Sequence, residues 1–273
     1  MNKILYFFSN KGSTAAYAII TAIFTLVPEE VFQNGFIQCT WSVTAVILIN
    51  RLIFCAVVLL LTNAAYQYYR KHRKTVTIKN KTYAIKVEYG DLLTISEGKK
   101  VINFDECYNT NVGDRPEDIK ADSVCGQYLT KYPIQDMQHL IDVTGVKPSG
   151  KSSFSQKDSY TQGTIIPRGD FLLMAFAKLD KDGRGRMTYS QYLDCLNTLW
   201  TQIDLYHGTD DVYMPILGSR ITRFDRVLTQ QELLDIMIAS YRLSTKKLQL
   251  PNTLHIVCKE REGFSLNDVY GVD

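Results

Sequence analysis

Two short stretches of this sequence combine residue types able to hold a nucleotide. The first is Val87-Glu88-Tyr89-Gly90-Asp91-Leu92-Leu93, an extended run that ends in Gly-Asp. A carboxylate at the end of a strand, here Asp91, accepts from an amino group such as that of adenine. The backbone amide of the next residue, Leu92, remains a donor. The second is Met214-Pro215-Ile216-Leu217-Gly218-Ser219-Arg220-Ile221-Thr222-Arg223. It reads as a strand, a loop of small residues and then a capped helix. Backbone amides from Gly218, Ser219, Arg220, Ile221 and Thr222 can cradle a diphosphate in such a loop. Gly126 and Gln127 are expected on the opposite wall. Either stretch alone is weak evidence, and together they describe the two ends of one ligand.

Other chemistries fit less well. Asp180-Lys181-Asp182-Gly183-Arg184-Gly185 resembles the start of a calcium loop. However, Arg184 stands at position five and Gln191 at position twelve, where a calcium loop needs an oxygen ligand and a bidentate Glu. Gly145-Val146-Lys147-Pro148-Ser149-Gly150-Lys151-Ser152 has Walker A spacing. That motif works only where a helix leaves the loop, and residues 153–163 are polar and aperiodic. The four histidines, His72, His139, His207 and His255, form no cluster, and the six cysteines form no CxxC pair. No metal site, disulfide framework or catalytic nucleophile is expected. The net charge of +3 is too weak to indicate a nucleic-acid partner.

The elements that must position these residues follow from periodicity. Residues 75–89 alternate, with Asn80-Lys81 between two runs, and read as a hairpin. Residues 100–104 are a further short strand. Residues 105–127 read as a long polar loop, 134–143 as a helix and 147–161 as a loop. Residues 170–179 are almost continuously apolar, as in a strand buried on both faces. Thr188 with Gln191, and Thr229 with Glu232, are capping boxes. Each opens a helix with apolar residues at helical spacing. Strands are expected at 212–217 and 254–259. The second half thus reads strand, helix, strand, helix, strand, a largely parallel sheet covered by helices.

The first quarter is different. Residues 12–28 carry no charge, and a second apolar stretch runs over 43–66. Each approaches the roughly 20 residues that cross a bilayer. A cleaved signal peptide is the rival reading of the first, but Pro28-Glu29-Glu30 stands where a small-residue cleavage site would be. Arg70-Lys71-His72-Arg73-Lys74 follows the second stretch, Lys3 and Lys11 flank the first, and the connecting loop holds Glu29 and Glu30 without Lys or Arg. Positive charges stay inside, which predicts two spans with both termini cytoplasmic. The expected organisation is a transmembrane region at 1–69, a basic linker at 70–74 and a cytoplasmic domain at 75–273. Arg51, inside the second stretch, either faces a bundle or pore or snorkels outward toward Glu29 or Glu30.

The order of these pieces resembles the macro domain, an ADP-ribose-binding fold. Its first strand ends in Gly-Asp, matched by Gly90-Asp91. Its later phosphate loop follows a strand as Pro-x-Ile/Leu-Gly-Thr/Ser-Gly, matched from Pro215 through Leu217 and Gly218 to Ser219. Two spans, a basic linker and a divergent macro domain together resemble the ThsA effector family of type II Thoeris anti-phage defence, over nearly the whole chain. The resemblance implies a macro-like three-layer α/β/α domain with a mixed, largely parallel sheet behind two N-terminal transmembrane helices. It implies a sensor in the cell inner membrane for an ADP-ribose-derived signal made by a partner TIR-domain enzyme. It further implies a homo-oligomer that acts on the lipid bilayer, with no catalytic residue and no cofactor. Three departures stand out. Macro hydrolases carry Ala-Ala-Asn after the second strand, whereas here Val101-Ile102-Asn103 leads into Phe104-Asp105-Glu106. The first phosphate loop is thinned to Ser123-Val124-Cys125-Gly126-Gln127, and Arg220 and Arg223 replace glycines in the second. These changes disfavour hydrolysis more than binding. A tethered ADP-ribosyl hydrolase and a ligand-free interaction module are the alternatives.

Overall fold

A computed structural model of the chain describes residues 7–37, 41–219 and 222–269. The chain divides into two units, 1–73 and 74–273.

In the first unit, α1 (Lys11–Leu26) and α2 (Val43–Lys71) are joined by a 3-10 turn over Glu29–Asn34. Small residues let the helices approach. A Cβ on Gly12 would lie 3.0 Å from Tyr66 Cβ and 3.1 Å from the Thr62 carbonyl. Polar side chains lock the contact. Asn10 Nδ2 donates to Asn63 Oδ1 at 2.7 Å, and Asn63 Nδ2 donates to Ser13 Oγ at 3.0 Å. Asn50 ties the connecting turn through the carbonyls of Phe32 and Ile37. Arg51 takes the outward option: its guanidinium pairs with Glu29 at 2.6 Å and lies over the Phe24 ring at 4.2 Å. Among the described residues only α2, with 29 residues, is long and apolar enough to cross a membrane. α1 has 16 residues, or about 24 Å at 1.5 Å per residue, short of a core of about 30 Å.

The second unit is a mixed α/β fold. Its main strands are β1 (Thr75–Lys79), β2 (Ala84–Tyr89), β3 (Lys99–Asp105), β6 (Ile165–Arg168), β7 (Phe171–Leu179), β8 (Gly185–Met187), β9 (Val212–Pro215), β10 (Arg223–Phe224) and β11 (Thr253–Cys258). β4 (Gly150–Lys151) and β5 (Asp158–Ser159) form a separate small hairpin. The sheet order is β1-β2-β11-β9-β3-β7-β8-β10, with β6 also on β7. From β2 to β7 every neighbouring pair is parallel. β1, β6 and β8 add antiparallel edges. Five strands therefore end on the same side.

Helices cover both faces. α5 (Tyr189–Tyr206) and α6 (Gln230–Leu243) pack on one face, α3 (Val124–Lys131) and α4 (Met137–Thr144) on the other. β7 shows why its sequence lacks alternation. Leu172, Met174 and Phe176 enter the first core, and Leu173 and Ala175 enter the second. Both predicted capping boxes form, at Thr188 with Gln191 and Thr229 with Glu232.

Three expectations need correction. The polar stretch over 105–127 is not all loop, because Ser123 caps α3 by accepting from Gly126 N at 2.9 Å. Between the strand expected at 170–179 and the helix capped at Thr188 a further strand intervenes, since the Asp180 turn joins β7 to β8 in a hairpin. Finally, β9 ends at Pro215, so Leu217 lies past the strand.

Candidate functional site

The parallel strands bring the two nucleotide-like stretches together. Gly90-Asp91 leaves β2, Lys259 leaves β11, Ile216 leaves β9 and Glu106 leaves β3, all at the carboxyl edge of the sheet. Ligands of open α/β sheets bind beyond that edge. Two adjoining cavities among the described residues lie there. One, of about 60 Å³, is lined by Asp91, Leu92, Gln127, Gln230, Lys259 and Arg261 among others. The other, of about 160 Å³, is lined by Asn103, Asp105, residues 116–120, Gly218 and Thr222 among others. Val124, Pro215, Ile216 and Ser219 line both, so the two form one groove.

At the smaller end Asp91 divides its carboxylate. Oδ1 accepts from Leu93 N at 3.0 Å and caps the 3-10 turn Leu92–Thr94. Oδ2 lies 3.8 Å from Lys259 Nζ. The second oxygen has this long ion pair and no hydrogen bond among the described residues. Cys258, in the same cavity, is inert: burial pushes its thiol up to about 12, and it donates to the Glu88 carbonyl. Arg261 Nη1 donates to the Ser219 carbonyl at 3.3 Å, joining the end of the last strand to the phosphate-type loop.

At the junction Gly218, Ser219 and Thr222 share the groove lining with Val124 at the start of α3. Gly218 has φ +79°, and a Cβ there would lie 2.7 Å from the Phe224 ring, so only glycine fits without displacement. β10 pairs with β8 and roots the far end of the loop. Opposite, the amides of Val124 and Cys125 are the first two of α3 and donate to no acceptor among the described residues. Free first-turn amides carry partial positive charge and suit an anion.

The larger cavity has a carboxyl at its floor. The pairing of β3 with β7 shifts register between Phe104 and Asp105. Asp105 Oδ1 accepts from the Cys107 and Asn109 amides. Burial pushes the Asp105 carboxyl up, against those hydrogen bonds, and the Glu106 charge adds to the rise.

The structure thus gathers Asp91, Leu92, Asn103, Gln127, Pro215, Gly218, Ser219 and Thr222 around one groove. Two expected residues do other work. Leu217 is fully buried, its amide donates to Met237 Sδ and its carbonyl accepts from Tyr192, so it anchors the loop in the core. Gly126 lines neither cavity. A Cβ there would stand 2.2 Å from the Lys120 carbonyl, so this glycine lets the 120 segment pack on α3. Arg220 and Ile221 lie outside the described residues. Sequence reading missed Asp105, Val124, Gln230, Lys259 and Arg261. Only Lys259 and Arg261 carried a signal, as cations just beyond the last strand.

The competing motifs are accounted for. Asp180 spends its carboxylate on the Asp182 and Arg184 amides and on Arg186 Nε at 2.6 Å. Among the described residues no group of three or more His, Cys, Asp or Glu could hold a metal ion. Gly145, at φ +70°, ends α4, and Gly150-Lys151 pairs with Asp158-Ser159 with no helix leaving the loop.

The family profile described as Thoeris protein ThsA, Macro domain, matches residues 85–259. The chain belongs to this family of Thoeris defence proteins. The match begins within β2 and ends just past β11, so it encloses both ends of the groove except Arg261. The Thoeris protein ThsA of Bacillus amyloliquefaciens (strain Y2) is 29% identical over 203 residues, covering 70% of this chain and 68% of that protein. The second unit is therefore a ThsA-type macro domain, and the first strand of the match is the one that leads into Gly90-Asp91.

Proposed function

We propose that this chain is a membrane-anchored sensor and effector that binds an ADP-ribose-derived signal in the groove at the carboxyl edge of its sheet. The observation that carries this reading is the groove itself. A carboxylate acceptor stands at one end, unpaired amides of α3 face a small-residue loop in the middle, and a wider cavity lies beyond. That order matches base, diphosphate and distal sugar. Asp91 takes the adenine amino group, and the amides of Val124, Gly218 and Ser219 take the diphosphate. Asn103, Asp105 and Thr222 surround the rest.

Family membership supports the source of the signal, a TIR-domain enzyme of the same defence system. Binding then favours association of copies, and the apolar helices disrupt the bilayer. A ligand drives such a change only by its differential affinity for the two states. The basic run at 70–74 and the acidic loop support an inner-membrane hairpin with both termini and the macro domain in the cytoplasm. α1, which starts at its Asn10 cap, is the other arm of that hairpin.

Calorimetry on the detergent-solubilised full chain with ADP-ribose and with the product of a TIR-domain NAD-cleaving enzyme tests the first step. Saturable heat with a raised melting temperature is expected, and neither ligand producing either would sink the reading. Dye release from liposomes containing the chain, with and without that product, tests the second. One observation favours a rival, a hydrolase: the Asp105 carboxyl, held up by burial beside Asn103 in the larger cavity. Turnover of ADP-ribosylated protein that disappears in Asp105→Asn would establish it.

A further inference from the structure

We propose that this chain holds a second small-molecule site, separate from the nucleotide groove, that takes an organic cation bearing N–H donors, an ammonium or a guanidinium. Its centre is the buried carboxylate of Glu106.

Asp105 and Glu106 are consecutive, yet they line different cavities. Asp105 lines the groove. Glu106 lines a further cavity, of about 510 Å³, between the β4–β5 hairpin, the end of β7 and α5. The backbone here is pinned on both sides. Glu106 N donates to the Ala177 carbonyl at 2.9 Å, and the Glu106 carbonyl accepts from Tyr160 N at 2.9 Å. Glu106 is almost wholly buried, at 4% exposure. Its Oε1 accepts from Ser152 Oγ at 2.9 Å and from Leu179 N at 3.1 Å. Oε2 has no donor among the described residues. It is not one of their fully enclosed orphan atoms either, so it keeps surface open to the cavity. A carboxylate this buried is costly unless a donor or a counter-charge meets it.

The other polar groups of the lining sharpen the class of ligand. Gln162, also buried, donates from Nε2 to the Phe176 carbonyl at 2.7 Å. A carbonyl only accepts, so the amide is fixed this way round and its Oε1 is left as an acceptor. The hydroxyls of Ser149, Ser153 and Thr198 give their protons to the carbonyls of Ser159, Leu179 and Asp194, and keep lone pairs to offer. Asp194, exposed on α5, adds a second carboxylate to the lining. Two lysines also line the cavity. Lys151 is held by Asp158 at 2.7 Å, and neither it nor the exposed Lys178 pairs with Glu106 among the described residues. An anion would thus face two carboxylates with only Lys178 to answer them. An ammonium or guanidinium brings several N–H groups and a positive charge to a set of acceptors, the first of them Glu106 Oε2.

The test is calorimetry on the detergent-solubilised full chain with agmatine, which carries a guanidinium at one end and an ammonium at the other. The wild type is expected to bind it saturably. Tetramethylammonium, a cation without an N–H, should bind at least about tenfold more weakly at equal ionic strength. Glu106→Gln keeps the shape, and its carbonyl can still accept from Ser152 and Leu179, but it turns an NH2 group to the cavity. It should weaken agmatine by at least about tenfold. If this variant melts below the wild type, Asp194→Lys takes its place. That exposed charge reversal on α5 should weaken agmatine by at least about threefold. A capped Gly-Arg-Gly peptide presents the same guanidinium on a protein chain without the second cation, and should bind more weakly than agmatine. Four results would each overturn the inference: no saturable agmatine binding, equal binding of tetramethylammonium, tighter binding of the peptide, or wild-type affinity in the folded variant. None of them touches the nucleotide reading, because Glu106 and Asp194 line neither cavity of the groove.

Discussion

The two edges of one sheet carry similar polar residues and treat them in opposite ways. Toward the amino edge His255 stacks on Tyr213 at 4.1 Å. Its Nδ1 lies 2.7 Å from Glu88, and its Nε2 lies 3.2 Å from Asp211. Glu88 also takes Lys86 at 2.8 Å, and Asp211 takes the Thr253 amide at 2.7 Å. Every group there is paired within the chain. At the carboxyl edge Asp91 lines a cavity with only Lys259, at 3.8 Å, against its second oxygen, and two α3 amides find no acceptor among the described residues. A cluster of titratable side chains is therefore a poor marker of function by itself. Unspent hydrogen-bonding capacity beside a cavity is the better one, because folding would otherwise have satisfied it.

The comparison breaks if changes at the open edge cost only stability, or changes at the closed edge cost only binding. The largest effect is expected from Gly218→Trp. Its backbone is at φ +79° and its Cβ position meets Phe224, so a bulky residue fills the phosphate position. More than about a hundredfold loss of ADP-ribose affinity is expected, with an unchanged circular dichroism spectrum. Next is Asp91→Ala. Loss of a charged acceptor should cost about 1.5–3 kcal/mol, or about one to two decades in affinity by calorimetry. The melting temperature should barely move, since the carboxylate caps only a three-residue turn.

His255→Leu should do the reverse. It removes the ring that sits between two carboxylates that each keep a further partner, so stability falls by about 1–2 kcal/mol in denaturant titration. ADP-ribose affinity at saturating fold should stay the same. The smallest effect is that of pH on Glu88. Burial raises this carboxyl, but the Lys86 and His255 contacts outweigh it and hold the group below its ordinary value of 4.5. The folded state thus favours the carboxylate. Its contribution is full above that ordinary value and fades as pH falls through the lower folded-state value. Melting temperatures of Glu88→Gln and the wild type should converge in that acid window and diverge above it.

Much of the framework was readable from residue order. The hairpin over 75–89, the β7 run, the two capping boxes and the strand before Gly218 each rest on a local rule of periodicity or capping. α3 was not readable, because Ser123 begins only two turns of helix amid polar residues. Its Tyr128 and Leu129 are justified by packing against β3 and β7. Gly126 misled for the same reason. Nothing in its neighbours announces that the Lys120 carbonyl will lie against it. Leu217 looked like part of the phosphate loop, yet Met237 and Tyr192, from two different helices, claim its amide and carbonyl.

Local chemistry in the sequence alone determined that the first quarter is apolar with basic flanks and that a Gly-Asp strand end and a small-residue loop exist. It also determined that the calcium-like and Walker-like spacings lack the residues or elements they need. These conclusions depend on neighbours within a few positions. Only the tertiary structure decided that Asp91, Gln127, Gln230, Lys259 and Arg261 share one cavity wall. It also decided that Arg51 reaches Glu29, and that His255 is closed between carboxylates while the first two amides of α3 find no acceptor among the described residues. Those outcomes turn on parallel strand pairing across long sequence separations. That pairing places strand ends side by side whatever their order in the chain, and local periodicity carries no record of it.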